Sequence, residues 1–413
     1  MRGCRCRSFL GAVVLFGLAV AMSTSMAATR HVGPDRDWCV AANALAPGDE
    51  LRLAPGEYVG SCTLASGGKA GAPIVVRAAD PAARPTLSAA GAIDNLINVA
   101  GGHVTLRELK FGPTPADVDA VRIKAGDGVT VEDCDFQEVG GIAVASNNAS
   151  TRGLTITRNE IAASRATAIY VGCHDGAQCQ ATDVVIEGNY IHGVDAPAGQ
   201  VGYGVQVKLN SSAIIRGNVV VDTKGPGIMI YGARTRDVGS VLEQNLVMNS
   251  RTSAGIVLGG GPASVSNNIV VGGKAGIALE DYASRGLLRG ILVAHNTVYG
   301  VFGGGLSTPL LGRLEAELSY NASHSVAGPA LPAPRPGLRS FGNVDCRLSA
   351  CFVEPLMLNF GPRPGSLLVA RSPVGGHTPA VDYFGLPRPP LAAVGAVDES
   401  GRDGVLMLGK KPR

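Results

Sequence analysis

Lys208 and Tyr231 close two copies of one short pattern, Gly204-Val205-Gln206-Val207-Lys208 and Gly227-Ile228-Met229-Ile230-Tyr231. An amine and a phenol at matching points of a repeat can remove one proton and deliver another, provided the amine is neutral. That pairing suits β-elimination on a uronate-containing chain. The proton at C5 must leave, the adjacent carboxylate must be neutralised, and the departing O4 must be protonated. Lys208 is the candidate base and Tyr231 the candidate acid. Gln206 and Tyr170 occupy outward positions nearby, Tyr203 ends one long loop and His174 lies in another. Arg122 and Lys124 stand on the same face, three coils away, where they would steer an anionic polymer and slightly depress the lysine pKa. Arg122, Lys124, Tyr170, His174, Gln206 and Tyr203 form the expected substrate-binding set. Each also has a plainer reading. A lysine on a strand is commonly a solvated surface residue, tyrosines serve as stacking platforms for sugars, and loop histidines often do nothing. Glu280 and Asp281 are adjacent on a strand and so point to opposite faces, which disfavours them as an acid pair.

The elements that position these residues follow from a ladder. Asn159, Asn189, Asn218, Asn245, Asn268, Asn296 and Asn321 return at intervals of 23 to 30 residues, each closing a run of alternating apolar residues such as Val184-Val185-Ile186-Glu187-Gly188-Asn189. A period of this size indicates a solenoid, and alternation in short runs bounded by Gly and Asn indicates strands. Stacked coils bring equivalent residues to about 4.8 Å, so the amides can bond up the stack while tolerating a left-handed turn. Cys134 and Leu109 occupy the ladder point in two earlier coils. Between rungs runs the Gly-Ile-x-Val strand, as in Gly141-Ile142-Ala143-Val144, Gly255-Ile256-Val257-Leu258 and Gly276-Ile277-Ala278-Leu279. Its outward positions give two columns: Arg122, Ala143, Tyr170, Gln206, Met229, Val257, Ala278, and Lys124, Ala145, Gly172, Lys208, Tyr231, Gly259, Glu280. Loops Cys173 to Thr182 and His192 to Tyr203 would wall a groove centred on coils three to five.

With these motifs the chain resembles the right-handed parallel β-helix proteins of the pectate-lyase-like superfamily over roughly residues 30 to 330. The resemblance implies an all-β right-handed parallel β-helix, to which the residues at either end add an N-terminal helical cap and an irregular C-terminal tail. In pattern the chain is most similar to polysaccharide lyase family six, the alginate and chondroitin lyases, in which a lysine on one coil and an arginine on the next act as base and acid. Lys208 matches that lysine, and Tyr231 takes the arginine's place. Those enzymes often hold calcium through acidic residues just before the lysine; Val201 to Gly204 contains none, so no ligand set and no cofactor is assigned.

Composition sets the frame. Residues 1–27 read as a secretory signal, with Arg2, Arg5 and Arg7 ahead of an apolar stretch from Phe9 to Met22. Without those arginines the 36 basic residues fall to 33, against 33 acidic, so the mature chain carries no basic footprint for nucleic acid. A soluble periplasmic or secreted monomer is expected, with no membrane segment after the signal is removed. Residues 28–88 read as N-terminal cap and first coils, with a helix near Trp38 to Leu45 capped by Asp37. Residues 89–327 are the coils with the groove, and 328–413 a Pro/Gly-rich tail packing along the outside and capping the far end. Export makes disulfides expected, and Cys39–Cys62, Cys173–Cys179 and Cys346–Cys351 are the local pairings, with Cys134 a buried apolar filler. Many glycines should sit at coil corners with positive φ.

The expected partner is an anionic polysaccharide or oligosaccharide, and the expected activity a lyase. Polygalacturonase-type hydrolysis is disfavoured because only Arg122-Ile123-Lys124 of its motif set occurs, and C5 epimerisation because its Asp-Pro-His motif is missing. A glycan-binding or surface β-helix protein without chemistry remains the alternative from a different class.

Overall fold

The computed structural model describes residues 27–91, 93–174, 178–347, 350–373, 377–398 and Leu406; the signal segment 1–27 lies almost wholly outside them. Among these residues the chain winds through about 13 turns of a parallel β-helix. Three long sheets of 13, 12 and 10 strands form its walls. Each turn contributes one strand to a wall. Val184–Glu187, Tyr190–Val194 and Val205–Val207, for example, belong to the 13-, 12- and 10-stranded sheets in turn. Alternation decides which residues face inward: Val184 and Ile186 are buried, while Val185 and Glu187 are partly exposed. One continuous apolar core runs from Val32 to Leu318.

The asparagines form the expected stack. Asn218 Nδ2 donates to Asn245 Oδ1 at 2.9 Å, Asn245 Nδ2 to Asn268 Oδ1 at 2.8 Å, and the series extends beyond Asn321 to Asn343 at 2.8 Å. The coils therefore continue past 327, to the strand Val344–Asp345. Cys134 and Leu109 lie buried at their ladder points, and the Cys134 backbone N–H donates to Asn159 Oδ1 at 3.0 Å. The left-handed backbone belongs not to the ladder residue but to the one before it, as at Arg158, Gln244 and His295. The Gly-Ile-x-Val glycines also serve another purpose than positive φ. A Cβ on Gly204, Gly227, Gly255 or Gly276 would come within 2.6 Å of a valine methyl from the neighbouring wall. That wall's valines fill the corner, so these glycines are required for space.

The three disulfides form as paired above, and the Cys134 thiol is buried against the Leu106 and Glu132 carbonyls. The α-helix Trp38–Asn43 begins at Asp37, whose carboxylate accepts from the Cys39 and Val40 amides, and it buries Trp38 and Ala42 in the core. After Val344 the tail lies against the outer face of the 12-stranded wall, where Phe352, Phe360, Leu368 and Tyr383 cover Val219, Leu246 and Ile269. Arg388, wholly buried, ties it down through Asn267 Oδ1 and Asp398, each at 2.8 Å.

Candidate functional site

The 10-stranded wall carries the site. Register follows Arg122, Ala145, Tyr170, Gln206, Met229, Val257, Ala278. Ala145, not Ala143, therefore joins the first column. A two-residue shift keeps every side chain on its own face, so alternation alone cannot detect it. A larger departure concerns exposure. Met229, Tyr231, Val257 and Ala278 point outward yet are buried in a second apolar cluster with Leu209 and Leu287. Part of its cover comes from Tyr282 and Leu287, which follow the last strand residue of this coil, Leu279.

Lys208 and Tyr231 meet within this cluster, each only 1% exposed. The Lys208 Nζ lies 3.9 Å from the centre of the Tyr231 ring and 5.3 Å from that of Tyr170. Cation–π attraction holds the ammonium there. Among the described residues it has no hydrogen-bond or carboxylate partner. Burial, followed by repulsion from the Arg285 guanidinium, pulls its pKa down to about 8.

The Tyr231 hydroxyl faces elsewhere. It accepts from Gln206 Nε2 at 2.8 Å and lies 3.3 Å from the Tyr203 hydroxyl. Either hydroxyl can donate in this second contact, and donation from Tyr231 to Tyr203 is the arrangement that agrees with the opposite effects of their bond on the two phenols. Burial raises both phenols. The mutual bond pushes Tyr231 further up and pulls Tyr203 back down, so Tyr203 is the more acidic of the two. Burial, with Tyr203 and Tyr282 nearby, pushes Tyr170 up to about 12. Tyr282 packs edge-on against Tyr231 at 4.5 Å and carries Arg285 over its own face at 5.1 Å. Beside this segment opens a cavity of about 780 Å³ lined by Glu280, Asp281, Ser284, Ser307 and Leu310.

The remaining expected residues are dispersed. Arg122 is bound to Asp119 and Lys124 to Asp94, the latter at 3.1 Å, so much of their charge is already neutralised. His174 is exposed on the disulfide-tied loop and makes no hydrogen bond to a described residue. His192 belongs to a strand of the 12-stranded wall, stacked on Tyr190 at 4.4 Å, so the second loop begins only after Val194. Lys224 and Arg251 pin that loop through the Ala196 carbonyl and Asp195. Sequence reading missed Tyr282, Arg285 and Leu287. Their signal was the 28-residue step from Asn268 to Asn296, longer than the steps of 23 and 25 on either side. Among the described residues no group of His, Cys, Asp and Glu is arranged to hold a metal ion, and no helix is long and apolar enough to cross a membrane.

The family described as "Right handed beta helix region" matches residues 119–300, which fixes the hand of the solenoid. Among solved structures, the complex of XylC with xylose is similar with a TM-score of 0.60 and 9% identity, covering 92% of this chain and 99% of its own. Pectate lyase Pel9A is similar with a TM-score of 0.55 and 15% identity, over 91% of this chain and 97% of its own. The alginate lyase from Paenibacillus sp. str. FPU-7 gives a TM-score of 0.53 and 15% identity, over 76% and 98%. At these identities the likeness is one of fold. No protein of curated function matches in sequence.

Proposed function

We propose that this right-handed β-helix protein acts on polysaccharide, as a lyase that cleaves a uronate-containing chain by β-elimination. The observation that carries the reading is the Lys208 amine, desolvated, without an anionic partner among the described residues, and held to a pKa of about 8 on the outer face of the wall. A lysine so poised is neutral in a useful fraction near pH 8. Neutral Lys208 takes the C5 proton, the C5–H electron pair becomes the C4–C5 double bond, and the C4–O4 bond breaks. In this reading the proton for O4 comes from Tyr203 rather than Tyr231. The Tyr231 hydroxyl, itself bonded by Gln206, then stabilises the Tyr203 phenolate. Tyr170 serves as a stacking surface, and Arg122 and Lys124 are remote electrostatic contacts. His174 remains a rim contact. A pectate lyase and an alginate lyase are among the proteins that share this fold, which agrees with this class of substrate.

Export to the periplasm or medium, a monomeric state, and the division into leader 1–27, cap and first coils 28–88, coils from residue 89 to the strand Val344–Asp345, and a tail after it belong to the same reading. Three disulfides favour an oxidising compartment. A glycan-binding role without chemistry is favoured by one observation, the near-complete burial of Lys208 and Tyr231. The two readings separate when purified protein is incubated with alginate, pectate, chondroitin and glucuronan while the ultraviolet absorbance of unsaturated ends is followed. A signal on at least one polymer, abolished by Lys208→Ala, is expected. Binding without any such signal would establish the non-catalytic role.

A further inference from the structure

Lys208 is not the only cation at this site without a carboxylate partner among the described residues. Arg285 carries a second, and one of its nitrogens, Nη1, is buried with no hydrogen-bond partner. Arg84, Arg107, Arg122 and Arg158 on the coils are bound to carboxylates, whereas Arg285 forms no ion pair with a described residue. The nearest carboxylate in sequence does not answer the need. Asp281 is turned into its own loop, where both oxygens accept from the Gly286 amide at 2.8 and 3.1 Å. Glu280, the next, is exposed. A buried guanidinium donor left unpaired is costly, and an anionic ligand is one group that can complete it.

Geometry brings the two cations to one aromatic pair. Lys208 lies on the face of Tyr231, Tyr282 makes a T-shaped contact with that ring, and Arg285 lies over Tyr282. The segment bearing Arg285 also lines the cavity of about 780 Å³, through Asp281 and Ser284. Two cations gathered on one aromatic pair ask for an anion, but they cannot share it equally. A carboxylate bound to Lys208 would favour the ammonium and remove the base. Arg stays charged under all relevant conditions and presents a planar fork that matches a carboxylate.

We propose that Arg285 receives the substrate's uronate carboxylate, leaving Lys208 to face the adjoining C5–H, and so makes the site specific for acidic over neutral sugars. This rests on the reading of the site as uronate-active. It also assigns the charge neutralisation that elimination demands to a side chain of this protein, one that the ladder and strand motifs did not reveal.

The test is calorimetric binding of saturated oligo-uronates from alginate, pectate, chondroitin and glucuronan to the full chain, with fully methyl-esterified pectate oligomer as the uncharged control. Arg285→Gln should bind the preferred acidic oligomer about 10- to 100-fold more weakly than the parent, the range for losing a charge-assisted bond. Arg285→Lys should recover part of that loss, and the esterified control should be indifferent to both. Unchanged circular dichroism would verify the fold of each variant. Equal affinity of Arg285→Gln and parent for the acidic oligomer overturns the assignment of Arg285 while leaving the lyase reading intact. Failure of the parent to bind any of the acidic oligomers overturns both.

Discussion

The Lys208 ammonium sits 3.9 Å above the centre of the Tyr231 ring, against its face and not beside its hydroxyl. An amine held this way is sheltered from water but not bound to an acceptor. Burial and repulsion from Arg285 outweigh the attraction of the ring face, so the proton is easier to lose.

The pH dependence follows in sign. With a folded pKa of about 8 the base is protonated below that value and neutral above it, so turnover should rise through about pH 8 and level off. Lys208→Arg should be inactive at every pH, because a guanidinium does not give up its proton. Stability runs in the same direction. Between about 8 and the ordinary 10.5 the unfolded chain binds more protons than the folded one, so stability rises across that window. Below it the buried charge costs on the order of 3 kcal/mol. Lys208→Met should therefore raise the thermal midpoint at pH 7 while abolishing activity. A midpoint that falls would mean the ammonium is better satisfied than its surroundings indicate.

Tyr203 and Tyr231 should separate in kinetics. The hydroxyl pair is polarised from Gln206 through Tyr231 to Tyr203. Tyr203→Phe removes the acid and should lower kcat by roughly 10²-fold with little change in folding. Tyr231→Phe leaves the Gln206 amide, itself buried, without its acceptor, and should cost about 1–3 kcal/mol of stability together with a smaller loss of kcat. The reverse ranking in kcat would return the acid role to Tyr231.

The sequence made the scaffold readable because the solenoid repeats its constraints. Seven asparagines mark the turns from Asn159 to Asn321, and strands such as Val184–Glu187, Ser240–Glu243 and Ala263–Ser266 alternate buried and half-buried residues, so errors in one coil are corrected by the next. What did not repeat was harder to see. The Arg122 column slipped by two residues at Ala143 because Ile142 and Val144 serve equally well as inward residues. The buried outer face went unrecognised, although Met229, Val257 and Ala278 in an outward column are themselves apolar and call for cover. Arg285 lies in a single insertion with no counterpart in other coils. No periodicity could have brought it beside Tyr282 and Lys208.

The ladder offers a test of the scaffold alone. Asn245 Oδ1 accepts from the Asn218 backbone and side chain, and its Nδ2 donates to Ile215 O and Asn268 Oδ1. Asn245→Ala orphans the buried Asn218 N–H and Ile215 carbonyl together. Each orphan costs about 1–3 kcal/mol, so denaturant unfolding should show a loss of at least about 2 kcal/mol. Asn343→Ala, at the partly exposed end of the stack, should cost less, because water can replace its partners. Equal losses at the two positions would mean that the central amides contribute no more than terminal ones.

Tyr282 tests whether burial governs the site. Burial is the first cause of the lowered Lys208 pKa and Arg285 repulsion the second, and Tyr282 is the ring that packs against Tyr231 and carries Arg285. Tyr282→Ala admits water and unseats the guanidinium, so both causes weaken and the lysine pKa should climb back toward its ordinary value. The rising limb of the pH–rate profile should move alkaline, by about one unit or more if a good part of the burial is lost. At pH 7 fewer molecules would then hold a neutral base, and kcat should fall although no reacting group has been removed. Access improves at the same time, so at a pH high enough to neutralise the amine the variant should match or exceed the parent. A profile that keeps its midpoint while losing amplitude would show that Tyr282 acts through substrate contact, and that the poise of Lys208 comes from the wall itself.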